Sequence, residues 1–119
     1  MANEVTSEMF TLQSCLPYLE NRGDRVEMIF YPEKPIQVYR DDRALPDGLN
    51  IELSRQDIEN LVIDNVSDPE IADFLLTEEG TINWPIPFDE VWACTALYNN
   101  SYSLDRFFLS LDFRKKGSH

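Results

Sequence analysis

Histidine is almost absent from this chain of 119 residues. The one histidine, His119, ends the sequence Gly117-Ser118-His119, which has the form of an expression-tag remnant. We therefore assign a single domain to residues 1–116 and the tag remnant to residues 117–119. Without histidine in the domain, Ser–His and Cys–His nucleophile pairs and histidine–zinc sites are excluded.

Cysteine and glycine are also scarce. Cys15 and Cys94 are far apart in sequence and form no C-x-x-C pair, so we predict two buried, reduced thiols. The four glycines are isolated, which excludes a glycine-rich phosphate loop, and the acidic residues match no calcium-loop spacing. We predict no metal, no cofactor and no catalytic residue, and hence no enzyme; an enzyme that uses carboxylates alone remains an alternative.

Long hydrophobic runs are missing as well. No run approaches the roughly 18 apolar residues of a membrane span, and the opening Met1-Ala2-Asn3-Glu4 lacks the features of a secretion signal. We therefore predict a cytoplasmic protein that contacts no membrane. A hydrophobic content of 43% over this length is typical of one packed domain.

Basic residues are few, and the excess of negative charge is concentrated in one segment of the chain. The chain has a net charge of -12, and residues 41–90 contain fourteen acidic residues against only Arg43 and Arg55, so this segment carries all of it. A surface of this kind repels nucleic-acid phosphates and attracts a basic partner. We predict no nucleic-acid binding. Whether the acidic segment selects a partner or only maintains solubility stays open.

The hydrophobic pattern predicts a small α+β domain. Residues 6–22 have helical spacing interrupted by Pro17, and residues 26–31, 36–39 and 49–53 alternate as strands. Residues 32–35 and 41–48 have the composition of a turn and a loop. Residues 58–63 form a fourth candidate strand, and residues 71–77 fit either a strand or a short helix.

The second half of the chain continues this pattern. Glu78-Glu79-Gly80 is typical of a hairpin turn before a strand at residues 82–86, in which Pro85 indicates an edge strand. Residues 88–98 have apolar positions on one helical face, and residues 107–113 alternate as a last strand. The order predicts an N-terminal helix packed on a small, mostly antiparallel, barrel-like sheet with one further short helix.

Since we find no catalytic set of residues, we predict that the protein acts by binding a partner. Aromatic side chains of the kind that anchor interfaces occur along the chain, although each also fits a core position: Tyr31, Trp84, Phe88, Trp92 and Tyr98. A strand-rich domain also offers an exposed edge to which an extended peptide can add as a further strand.

The order of several motifs resembles the SspB (stringent starvation protein B) family. The resemblance covers residues 9–113 and rests on the proline-terminated strand, the Leu49-Asn50-Ile51 strand and the Ile86-Pro87-Phe88-x-x-Val91 segment. Further matching segments are residues 60–63 and residues 101–104 with the strand that follows them.

The resemblance implies an Sm-like β-barrel with a packed helix, usually a homodimer. It implies an adaptor for proteolysis that binds degron peptides of the ssrA type in an apolar groove and delivers tagged substrates to ClpX of the ClpXP protease. The peptide-binding residues would be Leu49, Ile51, Phe88, Val91 and Trp92. The dimer contact would use the opening helix, through Phe10, Leu12, Leu16 and Leu19.

A rival hypothesis comes from the charge. The acidic segment is also typical of a small inhibitor that mimics nucleic acid and binds a basic protein partner. The two hypotheses differ in salt dependence, because binding of a tag peptide should respond weakly to salt and binding by a mimic strongly.

Overall fold

The computed structural model describes residues 10–19, 23–41, 43–44 and 49–117. A short 3-10 helix comes first, four strands follow it, and two α-helices separate these strands from the last three. The elements are the 3-10 helix Leu12–Tyr18, β1 Arg25–Phe30, β2 Pro35–Arg40, β3 Arg43–Ala44, β4 Leu49–Glu52, α1 Arg55–Ile63, α2 Pro69–Thr77, β5 Gly80–Ile86, β6 Trp92–Asn100 and β7 Phe108–Lys115.

The strands form one antiparallel sheet in the order β3-β2-β1-β7-β6-β5, with β4 paired to β2 beside this path. The last strand in sequence, β7, lies between β1 and β6. The α+β class is therefore confirmed. The predicted barrel is not: β3 and β5 lie at opposite ends of the strand order, and no pairing joins these ends in the part of the chain described.

One face of the sheet carries the core. Buried side chains alternate along the strands, and the register aligns them in rows, so that Val26 lies opposite Phe113 and Phe113 opposite Cys94. This alternation is what a half-buried antiparallel sheet requires. The 3-10 helix closes part of this face, where the ring of Phe10 meets the ring of Phe30 edge-on at 5.9 Å.

Capping explains why α1 forms. Ser54 accepts a hydrogen bond from the backbone N–H of Asp57, and the Asp57 carboxylate accepts one from the backbone N–H of Ser54, at 3.0 Å. This reciprocal cap satisfies amides that would otherwise lack partners. Residues 58–63 are thus helical, and the prediction of a strand there is wrong. Their apolar residues Ile58, Leu61 and Val62 are buried at helical spacing.

The undecided segment at residues 71–77 belongs to helix α2. Asp68 caps it by accepting a hydrogen bond from the backbone N–H of Glu70 at 2.9 Å, and Pro69 occupies the first turn. Strand β5 begins at Gly80, with a φ of 156°. The Glu78-Glu79-Gly80 turn is therefore a helix-to-strand connection rather than a hairpin. The edge position predicted from Pro85 is confirmed, because β5 ends the strand order.

The largest correction concerns residues 88–98, which are not a helix. Residues 92–100 form β6, the long strand between β5 and β7. Trp92, Cys94, Ala96 and Tyr98 are buried on one face, whereas Leu97 lies on the other. The period of two decides the conformation because both neighbouring strands pair along it.

The opening segment keeps its interruption at Pro17. Residues 12–18 form a 3-10 helix that contains this proline, with Cys15 and Leu19 buried against the core. Phe10, Thr11 and Leu19 flank this short helix without belonging to it, so the helix predicted for residues 6–22 is shorter than expected. Residues 6–9 and 20–22 lie outside the described residues, as does His119.

Candidate functional site

The five residues predicted to bind a peptide fall into two groups. Leu49 and Ile51 are half-buried on β4 and pack against the core. Phe88, Val91 and Trp92 lie at the junction of β5 and β6, where the ring of Phe88 packs 5.1 Å from that of Phe113. Trp92 is 4% exposed and belongs to the core, whereas Val91 is 48% exposed.

The strand order separates these two groups. Leu49 pairs with Ile36 on β2, and Trp92 pairs with Lys115 on β7. Strands β2, β1 and β7 therefore lie between β4 and β6, about 19 Å along the sheet at ~4.8 Å per strand. That these five residues bind a peptide stays a prediction. The strand pairing places the two groups in different parts of the sheet.

Most of the residues predicted for a dimer contact are buried in the core of this chain. Phe10, Leu12 and Leu19 are buried in the core, and Leu16 is half-buried beside it. A dimer contact at this segment stays a prediction, and Leu16 is the member of the set that retains surface for it.

A free strand edge is available at β5. This strand has seven residues and pairs with β6 over its full length, from Gly80 opposite Asn100 to Ile86 opposite Cys94. Trp84 and Ile86 anchor it in the core, and the indole N–H of Trp84 donates to the carbonyl oxygen of Asn65 at 3.2 Å. The opposite edge of β5 faces no other strand among the described residues.

A polar network at the other end of β6 was not anticipated from the sequence. Arg55 on α1 donates to the carbonyl oxygen of Ser101 at 2.7 Å, to Oδ1 of Asn100 at 3.2 Å and to Glu59 at 3.1 Å. The buried Asn100 donates in turn to the carbonyl oxygens of Leu75 and Glu78. The one available signal was that Arg55 is the only basic residue between positions 49 and 90.

The network joins four elements around one guanidinium. It links α1, the end of α2, the end of β6 and the connection from β6 to β7. These directional bonds add to the apolar contacts and to the Trp84–Asn65 hydrogen bond in defining how the helices are placed on the sheet.

The acidic side chains lie mainly on the helices and their connections. The described residues 49–90 carry eleven acidic residues and Arg55, whose guanidinium is bonded within the network. No group of three or more His, Cys, Asp or Glu in the described parts of the chain is arranged to hold a metal ion. The arrangement is therefore a negative surface rather than a carboxylate cluster.

The face of the sheet opposite the core places two carboxylates directly across from each other. Glu27 on β1 lies opposite Asp112 on β7. Ser110 donates to Glu27 at 2.8 Å, and the guanidiniums of Arg25 and Arg114 each bond to Asp112. These donors offset the repulsion expected between like charges in adjacent strands.

Both thiols are buried, as predicted. Burial raises the pKa of the Cys15 thiol well above its ordinary value, with a further contribution from Cys94. Burial also raises the pKa of the Cys94 thiol to about 12, with Asp112 as a second cause. Both groups are therefore protonated and weakly nucleophilic at neutral pH.

A shallow concavity lies beside α1. An open pocket of about 230 Å³ lies between the end of α1 and the end of β5, and its lining consists of Asp64, Asn65, Val66, Ser67, Ile86 and Pro87. A volume below the usual range for small-molecule sites, about 300–1,000 Å³, argues against a cofactor pocket here. No helix in the described ranges is long and apolar enough to cross a membrane.

Comparisons with known proteins bear on the fold alone. No protein-family model and no curated protein matches the chain. Among solved structures, the chain is similar to the X-ray structure of the Legionella pneumophila ATPase DotB, with a TM-score of 0.56 and 14% sequence identity. The match covers 96% of this chain and 30% of DotB. The chain thus spans less than a third of DotB, and the ATPase activity is a property of that protein.

Proposed function

We propose that this chain is a binding domain that recognises an extended peptide segment by adding it as a strand to the free edge of β5. The observation that carries the proposal concerns a seven-residue strand whose one edge is fully paired and whose other edge pairs with no strand among the described residues. Main-chain bonds to such an edge supply affinity, and side chains at alternate positions supply specificity.

The composition of β5 supports a limited binding segment. Thr81 and Asn83 are exposed and alternate with Ile82 and the buried Trp84, so an added strand would meet small polar side chains on one face. Pro85 lacks a backbone N–H and blocks continuous pairing at the end of the strand. The usable edge is therefore residues 80–84. A proline near one end also protects a free edge from unspecific association.

In the specific form that we propose, the domain is an SspB-like adaptor. It would bind ssrA-type degron peptides, act in the cytoplasm as a homodimer without a cofactor, and deliver substrates to ClpX. This form rests on the motif resemblance, which implies Leu49, Ile51, Phe88, Val91 and Trp92 as groove residues. Of these, Phe88, Val91 and Trp92 lie beside the end of β5, whereas Leu49 and Ile51 lie on β4. An Sm-like barrel would also require the two ends of the strand order, β3 and β5, to come together, and no pairing among the described residues joins them.

Fluorescence anisotropy of a labelled ssrA-tail peptide tests the proposal. We expect saturable binding that a scrambled peptide does not reproduce and that changes little between low and moderate salt. Peptides N-methylated at alternate backbone positions form the matched controls, because methylation removes strand donors without altering the protein. One methylated series should lose binding and the other keep it. Equal binding of both series would contradict strand addition, and no binding of the tag peptide would contradict the adaptor.

A second candidate function is supported by the charge. Residues 49–90 contain eleven acidic residues and only one basic residue, Arg55, which is already hydrogen-bonded within the chain. This excess of negative charge favours binding to a basic partner. Calorimetric titration with decalysine at about 50 mM and about 200 mM salt tests it. We expect binding at the lower salt that falls steeply at the higher one. An absence of binding at low salt would contradict this candidate.

A further inference from the structure

The connection between β6 and β7, residues 101–107, presents two large apolar side chains to solvent. Tyr102 is 75% exposed and Leu104 is 56% exposed, more than any other large hydrophobic side chain in the described residues. The ends of the connection are buried at Ser101 and Phe107. The fold thus uses the ends of this loop and leaves its apolar tip in water.

The backbone of this loop is held by side chains from outside it. The carboxylate of Glu79 accepts hydrogen bonds from the backbone N–H of Tyr102 at 2.8 Å and from the hydroxyl of Ser101 at 3.3 Å. Arg55 holds the carbonyl oxygen of Ser101 from the other side.

The far half of the loop is anchored as well. The backbone N–H of Arg106 donates to the carbonyl oxygen of Ser103 at 3.0 Å, and the amide of Asn99 donates to the carbonyl oxygen of Arg106. The guanidinium of Arg55 lies over the ring of Phe107. The loop therefore has a defined conformation before any partner arrives.

Such a loop has the features of a binding anchor. Exposed Leu and Tyr side chains contribute nothing to the core, yet both are apolar enough to fill a pocket. Tyrosine is enriched among residues that dominate interface energy, and a backbone ordered in advance lowers the entropy lost on binding. We propose that residues 101–107 form a docking loop that inserts Tyr102 and Leu104 into an apolar pocket of a basic protein partner.

The negative charge around the loop favours a partner with a positively charged surface. Glu78 and Glu79 follow α2 beside the loop, and Asp105 lies within the loop, where Arg106 is the one basic residue. The neighbouring helix α2 adds Glu70 and Asp73 without any base. A pocket bordered by lysine or arginine complements this rim, whereas an acidic border would be repelled. The inference rests on the second candidate function and adds to it the surface that makes the contact.

A designed basic amphipathic helix serves as the probe. It carries leucines along one face and lysines on both borders, and the control peptide has glutamate in place of every lysine. The protein variants are Tyr102→Ser with Leu104→Ser, and the matched control is Leu97→Thr, which alters an exposed apolar residue of β6 outside the loop. Because all three side chains are exposed, thermal unfolding should be unchanged in both variants.

We expect the loop variant to bind the basic helix at least about tenfold more weakly than the unaltered protein, and Leu97→Thr to bind as tightly as the unaltered protein. Amide chemical-shift changes on titration should centre on residues 101–107. The glutamate control should not bind. Equal binding by the loop variant, or shift changes confined to α1 and α2, would overturn the docking loop while leaving the charge-based candidate intact. Binding of decalysine without binding of the basic helix would also overturn the docking loop.

Discussion

The guanidinium carbon of Arg55 lies 4.2 Å from the centre of the Phe107 ring, so one side chain of α1 is stacked on the residue that precedes β7. The same guanidinium donates to Ser101, Asn100 and Glu59. Its side chain is 27% exposed, which places most of this charge away from water. A charge in such a position stabilises the fold only while its partners remain in place.

Arg55→Met should therefore destabilise the protein. The substitution keeps much of the aliphatic stem but leaves the Ser101 carbonyl and the Asn100 amide without their donor, and we expect a loss of about 2–3 kcal/mol in the free energy of unfolding. Urea unfolding measures it. Arg114→Met is the matched control, because that arginine is 64% exposed and pairs with Asp112 at the surface. It should change stability by less than about 1 kcal/mol. Equal effects in both variants would contradict a structural role for the network.

Ser54→Ala should weaken α1 at its first turn. The substitution removes the hydroxyl that accepts from the backbone N–H of Asp57, and the expected loss in the free energy of unfolding is about 1 kcal/mol. Ser67→Ala, at an exposed position outside the helices, serves as the control and should be neutral. Chemical denaturation of both variants measures the difference. A neutral Ser54→Ala would mean that packing of the helix alone maintains its start.

Both thiols should resist modification in the folded protein. Burial raises the pKa of the Cys94 thiol to about 12, so almost no thiolate is present at pH 8. We expect a disulfide reagent such as DTNB to react slowly with the native protein and to release two equivalents of thiolate rapidly in denaturant. Rapid reaction of one equivalent in the native state would show an accessible cysteine and contradict the described core.

Stability should fall at alkaline pH. Burial raises the pKa of the Tyr98 phenol from 10.0 to about 12; Glu59 also raises it, whereas Arg55 lowers it. The pKa of the Cys94 thiol is raised from 9.0 to about 12. Since the unfolded chain releases these protons first, the stability that these two groups contribute is fully present below pH 9 and is lost as pH rises from 9 towards 12.

Thermal unfolding at a series of pH values measures this decrease. Tyr98→Phe keeps the ring that meets Phe107 edge-on at 5.4 Å but removes the phenol, so the decrease above pH 10 should become shallower. Tyr102→Phe, which changes an exposed tyrosine, should leave the profile unchanged. Identical profiles for all three proteins would show that Tyr98 ionises alike in the folded and unfolded chains.

Local patterns determined several elements correctly. The strands at β1, β2, β4, β5 and β7 follow from alternation, because each buries one face and its period of two is visible in the residues themselves. The edge position of β5 follows from Pro85, which lacks a donor for a second neighbour. The burial of both cysteines follows from the preference of a free thiol for the core.

Two elements were predicted wrongly for different physical reasons. The segment at residues 58–63 is a short apolar run that fits either period, and the Ser54-x-x-Asp57 cap was the local signal that would have identified a helix. Residues 88–98 fit helical spacing, yet residues 92–100 also alternate. No local feature distinguishes these patterns, because pairing with β5 on one side and β7 on the other makes the strand the stable form.

The sequence by itself determined the α+β class, the excess of negative charge, the burial of both thiols and the edge position of the strand that contains Pro85. Only the tertiary structure decided that Leu49 and Trp92 lie on strands separated by three others, that Arg55 joins α1 to the loop before β7, and that Tyr102 and Leu104 remain in water. Composition and periodicity act between near neighbours in the chain. The pairing of β1 with β7 and the bonds of Arg55 to Asn100 and Ser101 join residues 45 or more positions apart, which only the folded chain brings together.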